Sequence, residues 1–237
     1  MKKRVDLTYF VLPLFVVVTR VFLFKDFFHE IDPINFALAI NKFSVYAEQP
    51  HPPGYPIVVL LSKIVFLFVG EHLKTLQILN LIVSIAAVLI FNLFLFKLTK
   101  DKYYSFFASM IFSITPIFYF YGVVEDVYIF EALITLIFGY FAYMSLKNER
   151  YLYPLSITYG LIGGIRFNDL LFFFPLLFYV FIKSKMNSKE KFINISLIVT
   201  SILSWYIPTI ISGGGYKIYS FHSKTLFTWV LGTSILL

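Results

Sequence analysis

The side chains best suited to chemistry are concentrated in residues 30–56, a polar stretch between two hydrophobic segments. Asp32 carries a carboxylate that can accept a proton from an attacking hydroxyl or amine. His51 and Tyr55 lie in a turn rich in proline and glycine, and Asn35 follows Asp32 in a predicted short helix. We therefore predict a site in which Asp32 acts as a base and Asn35, His51 and Tyr55 bind substrate.

Two positions farther along the chain fit the same chemistry. Asp126, in a predicted turn, supplies a second carboxylate that can assist the base, and its neighbour Glu125 is the weaker candidate. Arg166, at the end of a predicted hydrophobic helix, carries a planar guanidinium whose donors match a phosphate group. Two carboxylates and an arginine are suited to transfer from an anionic, phosphate-bearing donor.

Each candidate also has a structural alternative. Asp32 precedes a proline and therefore has the position of a helix N-cap. Asp126 is equally consistent with a solvated turn residue, Arg166 with an ion pair to Asp169, and His51 with a hydrogen bond inside its own loop. No nucleotide-phosphate loop, zinc-binding helix motif or serine-nucleophile motif occurs in the sequence, which argues against a soluble nucleotide donor.

Membrane helices must position these residues, because the chain is too hydrophobic for a water-soluble fold. Of its 237 residues 59% are hydrophobic and 14% are charged, and mean hydropathy is +0.82. The net charge of +7 comes from short basic connectors rather than one patch, so no nucleic-acid partner is expected. We predict an all-α polytopic membrane protein whose apolar surface is covered by the lipid bilayer.

Hydrophobic runs predict about seven transmembrane helices. Pro116 is expected to kink or end the third, and Gly160 and Gly164 are spaced for close packing of the fifth. Arg20 is expected either to extend to the surface or to face an interior acidic group. An outer loop is predicted from Ser212, followed by the start of an unfinished helix at 226–237. The predicted spans are residues 7–24, 77–98, 103–120, 127–146, 153–167, 169–182 and 192–211.

Positive charge decides the predicted topology. If residues 56–70 do not cross the membrane, the basic connectors at 2–4, 97–102, 147–150 and 183–191 all fall on one side. That side is the cytoplasm, and it also holds the N-terminus. Residues 25–56 then form an outer first loop with a short interfacial helix from Pro33. Residues 56–70 become a juxtamembrane helix that dips in from outside, and the candidate site faces outward.

These residues also carry a family resemblance. The sequences DPINFALA at 32–39 and QPHPPGYP at 49–56 resemble the first outer loop of GT-C membrane glycosyltransferases. The similarity is strongest to prokaryotic relatives of the protein O-mannosyltransferases and of the lipid A aminoarabinose transferase. In the element that resembles the family's acidic-x-Tyr pattern, Asp126 has the acidic position. The later matching elements, in family order, are EDVY at 125–128, GGIR at 163–166 and SGG at 212–214.

The resemblance implies inverting transfer of a sugar from a polyprenyl-phosphate donor to a protein, lipid or glycan acceptor. Asp32 would act as the base or orient the acceptor, and Arg166 would contact the donor phosphate, at the outer face of a prokaryotic plasma membrane. Some members of the family use a divalent metal and others do not, so metal dependence stays open.

Such enzymes are usually longer, so residues 1–237 are expected to form a single N-terminal module truncated at its C-terminal end. The alternative is a non-catalytic membrane protein: a flippase for lipid-linked sugars, a transporter or an inactive fragment.

Overall fold

The structure is a computed structural model that describes residues 8–235, a range in which the chain is helical and contains no strand. This confirms the predicted all-α fold. The basic residues predicted at 2–4 lie outside the described residues. Short 3-10 turns occur at Val21–Leu23, Val45–Ala47 and Glu149–Tyr151. The α-helices are α1 Thr8–Arg20, α2 Ile31–Asn41, α3 Pro56–Val69, α4 His72–Thr99, α5 Lys102–Ser113, α6 Pro116–Tyr121, α7 Tyr128–Ser145, α8 Leu152–Ile165, α9 Asp169–Lys183, α10 Ser188–Ser212 and α11 Tyr216–Ile235.

Three of the described helices are long and apolar enough to cross a membrane, namely α4, α7 and α10. The segments Thr8–Leu23 and Pro56–Val69 are shorter apolar helices. α8 and α9 have 14 and 15 residues. At a rise of about 1.5 Å per residue, helices of that length are shorter than a hydrocarbon core of about 30 Å. Length and composition therefore support three spans where about seven were predicted.

Helix α4 is the centre of the bundle, since α1, α3, α5 and α7 all pack against it. Two of its buried hydroxyl groups bond to carbonyls one turn earlier: Thr75 donates to Glu71 O (2.6 Å) and Ser84 donates to Asn80 O (2.8 Å). The outer surface is strongly apolar, and side chains such as Phe22 and Phe68 are 85% and 86% exposed. This distribution is typical of a protein surrounded by lipid.

The loops on either side of α4 gather at one end of the bundle. We call this the polar end and define it as residues 24–55, 70–77, 122–127 and 166–168. Gln77 Nε2 on α4 donates to Lys25 O (3.0 Å) and to Glu125 Oε1 (3.0 Å), which joins two of these loops. At the far ends of α7 and α9, Lys185 N donates to Glu149, which joins two of the basic connectors.

Helix α3 both begins and ends at the polar end. It starts next to Tyr55 and ends at Gly70, whose φ of 72° turns the chain into α4. The first residue of α4, His72, has Nε2 3.1 Å from Asn41 Oδ1 at the end of α2. Helices α2 and α3 therefore lie beside each other, and α3 also packs against α4.

Two predicted boundaries are wrong. Helix α2 starts at Ile31 with Glu30 as its N-cap residue, so Asp32 is not the cap and instead lies in the first turn. Pro33 is tolerated there because N–H groups of a first turn have no partner within the helix. Residues 216–225, predicted to be loop, belong to α11, which follows a tight turn at Gly214 and Gly215 with φ of 80° and 93°.

The predicted break at Pro116 is confirmed, since α5 ends at Ser113 and α6 begins at Pro116. Arg20 fills this break. Its side chain is fully buried, Nη2 donates to Ser113 O (2.6 Å), and Cζ lies 5.1 Å from the centroid of the Tyr119 ring. The prediction that Arg20 reaches the surface or an acidic group is wrong, because the break frees a carbonyl that the guanidinium can satisfy.

Gly160 and Gly164 bring α8 into close contact with its neighbours, as their spacing predicted. A Cβ atom on Gly160 would lie 2.7 Å from Ile198 O on α10. A Cβ atom on Gly164 would lie 2.7 Å from Ile57 Cδ1 on α3 and 2.8 Å from Trp205 Cγ on α10. Trp205 Nε1 also donates to Gly160 O (2.7 Å). Small residues therefore set the distance between the helices that carry Arg166 and Tyr55.

We expect Gly160→Ala to destabilise the fold by about 1–3 kcal/mol, because the added methyl group meets backbone that cannot move aside easily. Thermal unfolding of the purified protein in detergent measures the change. Gly139→Ala is the matched control, since its Cβ atom would meet only Phe94 Cε1 at 3.4 Å. Equal unfolding temperatures for the two variants would show that this contact does not limit packing.

Candidate active site

The first loop places Asp32, His51 and Tyr55 in a row. Asp32, in the first turn of α2, has a side chain that is 55% exposed, and its Oδ1 lies 3.7 Å from His51 Nδ1. The second nitrogen of the imidazole, His51 Nε2, lies 3.4 Å from the Tyr55 hydroxyl. The distance of 3.7 Å between Asp32 and His51 is too long for a hydrogen bond but is within the range of an ion pair. A carboxylate that solvent can reach is thus backed by an imidazole and a phenol.

A tight turn before α3 produces this arrangement. Gly54 has φ of 101°, and a Cβ atom there would lie 2.7 Å from Val45 Cγ2, so both backbone conformation and space require glycine. Tyr55 follows with φ of 46°, and its ring packs edge-on against Phe36 and His51 at centroid distances of 5.2 and 5.3 Å. Burial raises the pKa of Tyr55 to about 12, so its hydroxyl keeps its proton at neutral pH.

Asn35 lies on α2, one turn after Asp32, and is half-buried. It does not line the cavity described below, and its substrate-binding role stays a prediction.

The second loop is held in place by two amide side chains of α4. Asn80 Nδ2 donates to Val124 O and to Asp126 O, each at 2.6 Å. Glu125 is only 4% exposed and accepts hydrogen bonds from Gln77 Nε2 (3.0 Å) and from the backbone N–H of His29 (3.3 Å). Glu125 is thus a structural link between the two loops.

Asp126, unlike Glu125, does not link the two loops through its carboxyl group. Its Oδ1 accepts a hydrogen bond from the backbone N–H of the next residue, Val127 (2.6 Å). Burial raises the pKa of Asp126 to about 6, although the Val127 N–H bond lowers it, and the negative charge of Asp32 raises it further. A carboxyl group with such a pKa can exchange a proton near neutral pH.

Arg166 follows the last residue of α8 in an extended conformation and reaches across to α7. Its Nη1 forms an ion pair with Glu131 Oε1, and its Cζ lies 5.3 Å from the centroid of the Tyr128 ring. The structural alternative of an ion pair with Asp169 is therefore not the one that the structure forms. Both members of the pair are about one third exposed, at 34% and 31%, so the guanidinium remains accessible.

A cavity of about 570 Å³ opens beside these residues, and His51, Tyr55 and Arg166 line one wall. Sequence reasoning missed the opposite wall, because it assigned the start of α11 to a loop. A helical spacing of polar and aromatic residues in this segment is the signal that indicates the wall. The residues that α11 contributes are Tyr216, Tyr219, Ser220, Ser223 and Lys224, with Leu226 at the end.

The predicted residues belong to one electrostatic environment. The charges of Arg166, Asp32 and Asp126 all act on the hydroxyl of Tyr55. Four segments that are distant in sequence therefore meet at the polar end: the start of α2, the turn before α3, the second loop and the end of α8. This arrangement can bind an anion at Arg166 beside a carboxylate that can accept a proton.

Among residues 8–235, no three His, Asp or Glu side chains come together as ligands for a metal ion. Asp32 and His51, whose Oδ1 and Nδ1 atoms lie 3.7 Å apart, supply two groups that could ligate an ion. A Mg²⁺ ion commonly takes one or two carboxylates from the protein and its other ligands from water and substrate phosphates. The chemistry of the site is derived below from its side chains.

Comparison with known families gives one match, to the model described as "Protein O-mannosyl-transferase TMEM260 N-terminal domain", over residues 32–190. The matched range is about two thirds of the chain. It starts at Asp32 and includes His51, Tyr55, Asp126 and Arg166, whereas α11 lies outside it. No curated protein and no solved structure matches the chain.

We expect Glu125→Ala to lower the free energy of unfolding by about 1–3 kcal/mol, because it removes the acceptor of one N–H of the buried Gln77 amide and of the His29 backbone N–H, and so breaks the link between the two loops. Asp126→Asn is the matched comparison in the same loop. Because burial raises the pKa of Asp126 to about 6, the ionised carboxylate destabilises the folded protein at pH 7. Asn carries no charge, so Asp126→Asn should be no less stable than the unmodified protein at this pH. Thermal unfolding at pH 7 measures both, and greater instability of Asp126→Asn would contradict the assignment.

Proposed function

Since the chain belongs to the TMEM260 N-terminal domain family of protein O-mannosyl-transferases, we propose that it transfers a sugar from a polyprenyl-phosphate donor to an acceptor hydroxyl. The polar end of the bundle would be the active site. The observation that carries this proposal is the cavity of about 570 Å³ that His51, Tyr55 and Arg166 line, together with the Asp32 carboxylate, which does not line the cavity but lies 3.7 Å from His51. Its volume is in the range of small-molecule sites.

In the proposed reaction the acceptor oxygen attacks the anomeric carbon of the sugar from the side opposite the phosphate. A new carbon–oxygen bond forms as the bond to the phosphate oxygen breaks, and the configuration of the sugar is inverted. The acceptor proton passes to the Asp32 carboxylate, and the bonding electrons leave with the phosphate. Base catalysis and stabilisation of the leaving group's charge are thus the two tasks of the site.

Arg166 would stabilise the leaving phosphate. Its ion pair with Glu131 engages Nη1, and the guanidinium still has further N–H donors at the cavity wall. Glu131 would therefore orient the fork of donors rather than neutralise it fully. The electrostatic attraction is strengthened because membrane helices surround the site and lower its effective dielectric constant.

Asp32 would act as the base because its carboxylate is 55% exposed and lies where an acceptor can approach. His51, 3.7 Å away, can stabilise either charge state of the carboxylate, and the Tyr55 hydroxyl limits how the imidazole rotates. Asp126 would assist by helping to hold the acceptor, and Asn35 would contact substrate from α2. The hydroxyls and aromatic rings of α11 would face the sugar across the cavity.

We further propose a GT-C-like arrangement in which the polar end faces outside the plasma membrane of a prokaryote. In this arrangement α1, α4, α5–α6, α7, α8, α9 and α10 would cross the membrane in alternating directions, which would give seven crossings. The basic connectors at 97–102, 147–150 and 183–191 then lie in the cytoplasm, as the positive-inside rule favours. Helices α2 and α3 would lie at the outer interface, and local thinning of the bilayer would accommodate the short spans.

We expect Asp32→Asn to reduce transfer by about 10²–10⁴-fold, the usual contribution of a general base. Incorporation of labelled sugar from a polyprenyl-phosphate donor into membranes that contain the protein measures this loss. Glu48→Gln is the matched control, since it makes the same chemical change on an exposed residue of the same loop.

Full activity of Asp32→Asn would contradict the role of this residue. Uptake of lipid-linked sugar by proteoliposomes without transfer would instead favour a flippase or transporter.

We expect the rate of transfer to fall as pH decreases through about 6, because the Asp126 carboxyl group, with a pKa of about 6, becomes protonated. Above that pH the group is ionised and can accept a hydrogen bond from the acceptor. A pH–rate profile at saturating donor tests this. Asp126→Asn should be slower and should lack this limb of the profile, and an unchanged limb in the variant would assign the titration to another group.

A further inference from the structure

Lys224, in the third turn of α11, lines the cavity but has no role in the proposed reaction. Arg166 lines the same cavity, and none of the described residues in the lining carries a carboxylate. The cavity therefore offers two permanently cationic groups to a ligand. A concave surface lined by charges of one sign concentrates ions of the opposite sign. A substrate with a single phosphate group would use only one of the two cations.

The two cations differ in how far the protein neutralises them. Arg166 forms an ion pair with Glu131, whereas Lys224 has no carboxylate within ion-pair distance among residues 8–235. The Lys224 side chain is exposed, and its ammonium group has three N–H donors. These donors are available to an anionic group of a ligand in the cavity.

Contacts of α11 fix the place of this lysine beside the cavity. The Tyr219 hydroxyl lies 3.5 Å from Pro53 O, in the turn before α3, and the Tyr219 ring packs edge-on against Tyr206 of α10 at 6.4 Å. The ring of His222 packs edge-on against Tyr46 of the first loop at 5.6 Å. The second turn of α11 is thus held against the first loop and α10, and Lys224 follows directly after it.

Aromatic rings occupy the space between the two cations. Phe167, the residue after Arg166, lies 6.5 Å from the ring of Trp205, which in turn lies 5.7 Å from that of Tyr206. Tyr206 contacts Tyr219, so this series of rings extends from the end of α8 to α11. A ligand whose two anionic groups are separated by an uncharged body, such as a sugar ring, matches this order of groups.

We propose that Lys224 forms a second anion subsite of the cavity, which binds a carboxylate or phosphate group of the substrate other than the phosphate at Arg166. The inference rests on the proposed function, from which it takes the phosphate at Arg166. The second group can belong to the acceptor, as in an acidic peptide, or to the transferred sugar, as in a uronic acid. Both present the same chemistry to the compact charge of a lysine. The subsite would select substrates without contacting the bonds that change.

Straight-chain bisphosphonates of increasing length, which carry a phosphonate at each end, test the subsite without any transfer. Their binding to the purified protein in detergent is compared by calorimetry with that of monophosphonates of the same length. We expect the tightest bisphosphonate to bind roughly tenfold more tightly, because it gains a second charge-assisted contact. Lys224→Gln should remove this advantage. Lys217→Gln is the matched control, since Lys217 is exposed on the same helix and does not line the cavity.

Monophosphonates that bind as tightly as every bisphosphonate would overturn the proposal, and so would an equal loss in the two variants. If the bisphosphonates bind as expected but no sugar is transferred from any donor, the proposed function fails while the subsite stands.

Transfer assays show which part of the substrate carries the second anionic group. With a serine peptide that has acidic residues beside the serine, Lys224→Gln should raise the KM of the acceptor roughly tenfold and leave kcat unchanged. The KM of the same peptide with amides in place of the acids should not change, and Lys224→Arg should keep the low KM of the acidic peptide. A rise confined to the KM of a uronic acid donor would assign the subsite to the sugar. Unchanged KM values for all these substrates in Lys224→Gln would contradict the proposal.

Discussion

The structure of the polar end depends on the hydrogen bonds that Gln77 and Asn80 form with its loops. Both residues are buried on α4, the longest helix of the described chain, and their amide groups bind the loops on either side of it. Gln77 joins Lys25 O to Glu125, and Asn80 joins Val124 O to Asp126 O. In a bilayer these loop groups would otherwise be costly to bury, so the amides make a fixed loop possible. Asp32 and Asp126 owe their proximity to this arrangement.

The same requirement explains how the break between α5 and α6 is stabilised. Pro116 begins α6 after α5 has ended at Ser113, which leaves carbonyl groups without their usual donors. Arg20 satisfies one of them from α1, and its guanidinium also packs against the rings of Phe118 and Tyr119. The break can then persist without water, and α6 leads the chain into the second loop.

The position of Arg166 at the cavity results from packing at some distance from it. Gly160 and Gly164 let α8 approach α10 and α3 closely, so the residue that follows α8 is held at the polar end. Glu131 and Tyr128, both on α7, then orient the guanidinium through charge and through the face of the ring. The guanidinium is thus held by rigid helices, which in the proposed reaction would favour precise placement of a phosphate.

The sequence by itself determined the features that depend on nearby residues. Runs of apolar side chains predicted most helices to within a few residues, Pro116 predicted a break, and the spacing of Gly160 and Gly164 predicted close packing. The motif around His51 and Tyr55 also indicated the family, because a turn with this many prolines and a glycine has few alternative conformations.

Only the tertiary structure decided which residues are partners. Arg20 donates a hydrogen bond to Ser113, and Glu125 accepts one from Gln77. Arg166 forms its ion pair with Glu131 and not with Asp169, which is nearer in sequence. The wall of the cavity from α11 was also missed, since the glycines at 213–215 favoured a loop, although Tyr216, Tyr219 and Ser223 have helical spacing. Such partnerships depend on which helices lie side by side. That arrangement follows from burying the whole chain at once, so no local pattern contains it.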